Sequence, residues 1–176
     1  MIQSIGVIGA GQMGNGIAQV AACAGYDVVM IDIKDEYVEK GLGAIQFSLG
    51  KLVSKERMTQ DDADAALARI TTGTDRGMCA DCDLVVEAVP EILALKAEIF
   101  SELDSICKPE TILASNTSSI SITTIAGSTN RPDKVIGMHF MNPVPIMKLV
   151  EIINGEGTSE ATNSCLLYTS PSPRDS

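Results

Sequence analysis

The chain has 176 residues, 45% of them hydrophobic, with a formal net charge of −10 and a pI near 4.4. That length suits one domain, or one domain with part of another, and the apolar fraction is ample for a core. The acidic balance argues against nucleic acid or an anionic membrane surface as a partner, and no apolar run approaches the ~18 residues of a membrane helix.

Met1 to Ser4 lead straight into the first strand, so no signal or transit peptide is expected, and five cysteines without a secretion signal suit a reduced cytoplasmic setting. Ile5 to Ile8 is a short β-branched run, expected as a buried strand of a parallel sheet. Gly9-Ala10-Gly11-Gln12-Met13-Gly14 follows, a G-x-G-x-x-G in which each glycine has its own task. Gly9 permits the tight strand-to-helix turn, Gly11 lets the backbone touch a pyrophosphate, and Gly14 lets the helix pack close to the strand. The helix start then turns its free N–H groups and positive dipole end toward the phosphates. Met13, Ile17, Val20 and Ala24 recur at helical spacing, Gly25 supplies a stop, and Asp27 to Ile31 makes a second strand closed by Asp32. That carboxylate lies about 20 residues beyond the glycines, where it suits the ribose hydroxyls and repels a 2′-phosphate, so NAD is expected rather than NADP. A glycine turn alone fits many proteins; the flanking strand, helix and acid select the dinucleotide reading.

From Asp35 to Arg69 the pattern is helical, with Val38, Leu42, Ile45, Leu49 and Leu52 stepping by three and four and a second run opening at Asp61-Asp62. Two such helices form a hairpin projecting off the nucleotide core. Ser48, Lys51 and Lys55 on it suit either plain solvent exposure or a phosphorylated ligand. Cys79-Ala80-Asp81-Cys82, without a second pair or histidines, makes no four-ligand metal site and reads as two thiols in a loop and strand entry, so no metal is expected. Leu84 to Val89 is the next strand, then Glu91 and a helix carrying Lys96, Leu95, Ile99, Phe100 and Leu103. Ligands of open parallel sheets lie off the carboxyl ends of strands, so Glu91 and Lys96 can reach a cofactor or serve as cap and surface charge. Thr111 to Ser115 ends in Ser115-Asn116-Thr117-Ser118-Ser119, small polar residues fit to donate to a ligand oxygen or to cap the short helix Ile122 to Ala126.

Val135 to Phe140 brings the only histidine, His139, to the end of an apolar strand; Asn142-Pro143-Val144-Pro145 and a strand Leu149 to Ile153 follow. Glu151 inside that strand is costly unless paired. The proline turn can fold the second strand back beside the first, setting the carboxylate against the imidazole, which fixes the tautomer and leaves the other ring nitrogen to take a proton.

GAGQMGNGIAQ, DLVVEAVPE, ASNTSSISIT and HFMNPVPIMKLVEII together resemble the L-3-hydroxyacyl-CoA dehydrogenase family, particularly its bacterial 3-hydroxybutyryl-CoA members, from Ile5 to about Thr162. The resemblance implies a doubly wound α/β fold and NAD-dependent oxidation of a 3-hydroxyacyl-CoA to the 3-ketoacyl-CoA. By it His139 is the general base, Glu151 its orienting partner and Ser118 a contact to the substrate oxygen, while Ser48 and Lys55 hold coenzyme A. Asp32, Glu91, Lys96, Asn116, Ser118 and Asn142 fall on its NAD positions beside Gly9, Ala10, Gly11, Gln12, Met13 and Gly14. Ile92 departs from the family, which commonly has Asn or Asp there. A sugar-acid dehydrogenase of gulonate type and a non-catalytic NAD-binding module are the alternatives; Ser48 and Lys55 favour coenzyme A, and the His139–Glu151 pair favours catalysis.

The family continues for roughly a hundred residues into a helical domain that completes the cleft and forms a homodimer. Here CLLYTSPSPRDS, from Cys165, has no helical period and resembles translated adaptor sequence joined to a truncated frame. Residues 1–162 are therefore expected to be the NAD-binding domain and 163–176 a non-native or disordered tail.

Overall fold

Short apolar strands alternating with amphipathic helices wind into a single sheet covered on both faces. The computed structural model describes residues 1–147 and 149–169. In chain order the elements are β1 (Ser4–Ile8), α1 (Gln12–Cys23), β2 (Asp27–Ile31), α2 (Asp35–Ser54), α3 (Gln60–Ala68), β3 (Ile70–Gly73), β4 (Leu84–Glu87), α4 (Leu93–Ile106), β5 (Ile112–Ser115), α5 (Ile122–Ala126), β6 (Val135–Phe140), β7 (Val150–Asn154) and α6 (Glu160–Thr169), with 3-10 turns at Arg76–Cys79 and Pro132–Lys134. The sheet order is β3-β2-β1-β4-β5-β6-β7, parallel through β6, with β7 added antiparallel. This is the doubly wound nucleotide-binding order with one extra strand, and its switch point lies between β1 and β4.

Alternation along each strand divides the core. Ile5 and Val7 of β1 face α1, where Ile17, Ala18 and Ala22 meet Ile45 and Leu49 of α2 and Ala63 and Ala66 of α3. Ile8 faces the other way, into a cluster with Ile99, Phe100 and Leu103 of α4 and Ile122 and Ile125 of α5. The α2–α3 hairpin thus lies against α1 for most of its length; from Gly50 to Ser54 no residue of α2 is wholly buried.

Two stretches differ from the sequence reading. β3 was not expected, because its four residues Ile70–Gly73 include none that is wholly buried and carry too short a pattern to stand out. It forms by hydrogen bonding beside β2, an edge position that asks little of the side chains. The expected boundary after residue 162 falls inside α6, and helix continues through Thr169 where no period was expected. Thr162 and Leu166, four apart, are buried on one face of it, Leu166 in the α1-side cluster. The Ser170-Pro171-Ser172-Pro173 stretch lies outside the described residues.

The α1–β1 junction is the tightest point. A Cβ on Gly14 would lie 1.8 Å from the Gly9 carbonyl oxygen, and Gly9 itself has φ +111° with the Ala88 carbonyl 2.6 Å from where its Cβ would be. Gly11, at φ −69°, has open space around its Cβ position. Gly14→Ala should therefore cost about 1–3 kcal/mol or more of stability in urea unfolding, whereas Gly11→Ala should leave stability unchanged or raise it by up to about 1 kcal/mol.

Candidate functional site

At the carboxyl end of β1 the glycine turn delivers the start of α1 to the sheet edge. Among the described residues no protein acceptor engages the N–H groups of Gln12, Met13 or Gly14, so these donors remain for a ligand. Asp32, half-buried at the end of β2, accepts from the Ala10 N–H at 2.8 Å and the Ile33 N–H at 2.7 Å, which ties the carboxylate to the turn. Both line a groove of about 1150 Å³ with Tyr37, Arg76, Val89 and Pro90. Arg76 was not weighed in the sequence reading. Its guanidinium is bound to Glu102 at 2.5 Å, with Glu98 at 4.0 Å, so its charge is already countered.

Next to this groove, at the ends of β4 and β5, lies a charged network of which the sequence reading had only half. Lys96 is 1% exposed, and its ammonium meets Glu87 at 2.6 Å, the Val89 carbonyl at 3.1 Å and Glu91 at 3.1 Å. Glu91 in turn accepts from Thr117 Oγ1 (2.7 Å) and Ser119 Oγ (2.6 Å), holding the loop that carries Asn116 and exposed Ser118. Lys96, expected at the cofactor, therefore directs its three N–H donors to protein oxygens. Glu87 went unread although the signal was there: an acid at the end of the apolar run Leu84–Val86 needs a partner by the same rule applied to Glu151.

His139 and Glu151 are directly opposed in the β6–β7 register, as the proline turn was expected to arrange. Directly opposed residues share a face of the sheet, with Cβ atoms about 5 Å apart. The side chains are not joined: no hydrogen bond or ion pair links them among the described residues. His139 is half-buried, but Glu151 is exposed on an edge strand, so the cost of an interior carboxylate does not arise. Asn116 Oδ1 accepts from the Phe140 N–H at 2.8 Å, fastening the Ser118 loop beside His139. Asn142 Oδ1 accepts from Gln12 Nε2 at 3.2 Å, bringing the turn after β6 to the start of α1.

Farther away, Ser48 Oγ accepts from the buried Gln19 side chain at 2.9 Å, and Lys55 is exposed where α2 ends. Cys79 and Cys82 are free thiols in the turns that enter β4, with both side chains buried in the core; a Cβ on Gly6 would lie 2.8 Å and 3.3 Å from their sulfurs. Among the described residues no helix is long and apolar enough to cross a membrane.

A glycine turn, a ribose-side acid and a histidine strand thus converge on one sheet edge. Over residues 4–169 the sequence matches the family described as 3-hydroxyacyl-CoA dehydrogenase, NAD binding domain. The chain belongs to that family. It is 57% identical over 157 residues to the "Probable 3-hydroxybutyryl-CoA dehydrogenase" of Deinococcus radiodurans, covering 89% of this chain and 56% of that protein. It is 51% identical over 162 residues to the 3-hydroxybutyryl-CoA dehydrogenase of Bradyrhizobium diazoefficiens, covering 92% of this chain and 55% of that one. The crystal structure of (S)-3-hydroxybutyryl-CoA dehydrogenase from Ralstonia eutropha superposes with a TM-score of 0.94 at 47% identity, covering 96% of this chain and 60% of that chain. The chain spans about half the length of the curated relatives it matches. As a member of this family its cofactor is NAD, in agreement with the Asp32 reading.

The Glu91 carboxyl has a measurable signature. Burial pushes it up, but hydrogen bonds from Ser119 and Thr117 and the Lys96 ammonium outweigh burial and hold it at about 2, against an ordinary value of 4.5. A lowered carboxyl contributes stability that is fully present above pH 4.5 and is lost as pH falls from 4.5 through about 2. Glu91→Gln should flatten the acid limb of Tm against pH in that window, and an unchanged acid limb would show that Glu91 does not hold the loop.

Proposed function

We propose that the full-length protein is an NAD-dependent L-3-hydroxyacyl-CoA dehydrogenase that oxidises 3-hydroxybutyryl-CoA to the 3-ketoacyl-CoA, in fatty-acid or butanoate metabolism. The single observation that carries this reading is the register that sets His139 against Glu151 one strand from the Asn116–Ser118 loop, on the edge where the glycine turn opens.

The residues present fit the cofactor. Unpartnered N–H groups at the start of α1 and the open space at Gly11 suit a pyrophosphate, with Gly9, Ala10, Gly11, Gln12, Met13 and Gly14 forming its cradle. Asp32 takes the adenosine ribose, and Glu91, Asn116, Ser118 and Asn142 surround the nicotinamide half, with enclosed Lys96 behind them holding Glu91. When bound, the cofactor supplies the hydride acceptor.

His139 takes the 3-hydroxyl proton on one ring nitrogen. Glu151 accepts from the other nitrogen after a side-chain rotation, which the cross-strand spacing allows; this holds the tautomer and stabilises the imidazolium. Ser118 donates a hydrogen bond to the substrate oxygen and so fixes the carbinol against the imidazole. Ser48 and Lys55 hold coenzyme A on the hairpin, a serine hydroxyl and an ammonium suiting its polar and phosphate groups. The proposal includes a homodimer formed through a further helical segment, and a cytoplasmic setting. Exposed Ile146, Met147, Leu149 and Ile153 supply apolar surface for such a segment to cover.

In the full-length protein His139→Ala should lower kcat by about a hundredfold or more, and Glu151→Gln should lower it too, with NADH binding unchanged in both. Near-normal oxidation of 3-hydroxybutyryl-CoA by His139→Ala would remove the proposed mechanism.

A further inference from the structure

Glu87 is the one acid of the network that no cofactor-binding expectation included, and it is the most completely enclosed. Its side chain is 0% exposed. One carboxylate oxygen accepts from Lys96 Nζ at 2.6 Å and the Val89 N–H at 2.8 Å, the other from Ser115 Oγ at 2.6 Å. In the sheet it stands between Ile8 of β1 and Ser115 of β5, one residue before the glycine turn on one side and the Asn116 loop on the other. The residues that follow it, Ala88, Val89 and Pro90, line the groove.

A buried ion pair is a poor source of stability, because desolvation offsets most of the attraction and apolar residues of the same shape often serve as well. What such a pair supplies when fully hydrogen-bonded is a single arrangement. Here each N–H of Lys96 has one oxygen to meet, and Glu87 is the only one of the three acceptors that is both charged and wholly enclosed. With Glu87 neutral, the ammonium has only the partly exposed Glu91 as a counter-charge. Moving toward it would pull Glu91 off Thr117 and Ser119 and loosen the Val89 backbone.

We propose that Glu87 is a positioning residue for NAD(H): acting through Lys96 and the Val89 N–H, it sets Glu91, the Asn116–Ser118 loop and the groove wall in the geometry that the nicotinamide half of the cofactor requires. The inference rests on the cofactor reading above. It concerns a residue that does not itself touch the ligand, so the test asks whether its effect passes through Lys96.

The test is a cycle of Glu87→Gln, Lys96→Met and the double variant, read by titrating NADH fluorescence on the chain and by Tm. Glu87→Gln should weaken NADH binding about tenfold or more in the presence of Lys96 and less than about twofold in the Lys96→Met background, since two residues that act as one unit do not add. A merely structural role would give the same loss in both backgrounds, following Tm. If Glu87→Gln does not fold, Ser115→Ala removes one of the carboxylate's donors, and with it the acceptor of the Thr117 N–H, without altering charge; NADH affinity should then fall about threefold or more with Lys96 present and less than about twofold in the Lys96→Met background. Equal losses in the two backgrounds, or affinity within about twofold of the unmutated chain in whichever variant folds, overturn the proposal. Failure of the unmutated chain to bind NADH overturns the cofactor reading instead.

Discussion

The structure depends on how closely the first turn of α1 approaches the end of β1. With no side chain at Gly14, the helix start rests on the Gly9 carbonyl, and any larger residue would push it off by more than an ångström. That contact aims the N-terminus of α1 along the sheet edge and brings Ala10 to Asp32. It also sets the face on which α2 and α3 lie, since Ile45, Leu49, Ala63 and Ala66 pack with the buried side of α1. The groove and the hairpin proposed to hold coenzyme A are thus both consequences of one backbone contact.

An acidic protein with net charge −10 must still receive an anionic cofactor, and at the glycine turn it offers dipoles for it. The donors offered at the glycine turn are backbone N–H groups at a helix start, which attract a pyrophosphate through the helix dipole. Two cations nearby are already occupied, Arg76 by Glu102 and Glu98 and Lys96 by Glu87 and Glu91, while exposed Lys40 on the groove wall has no ion pair among the described residues. On the ribose side Asp32 accepts from the Ala10 and Ile33 N–H groups, and a carboxylate at that position disfavours a 2′-phosphate.

At the far edge the sheet is less complete. β7 is the last strand, Glu151 on it faces solvent, and Ile146, Met147, Leu149 and Ile153 are exposed around it. Backbone pairing alone places His139 and Glu151 opposite each other; no side-chain bond joins them. Register is therefore the prepared part of the pair.

The sequence by itself determined the features that live within one element or one turn. Glycine spacing, the acid closing β2, the strand ending in His139 and the helical steps of α2 are local, because backbone periodicity and φ/ψ limits act over a few residues. Even the His139–Glu151 register followed from a short, proline-stiffened connection. Tertiary structure decided the rest. β3 exists because β2 offers it an edge, and α6 runs past residue 162 because Leu166 finds the α1-side cluster. Glu87 and Lys96 are nine residues apart on a strand and a helix with no shared period, and Ser115 comes from another strand. Whether such charges are surface groups or an enclosed network depends on which strands stand next to one another. That order is set by packing of the whole chain, and no local pattern encodes it.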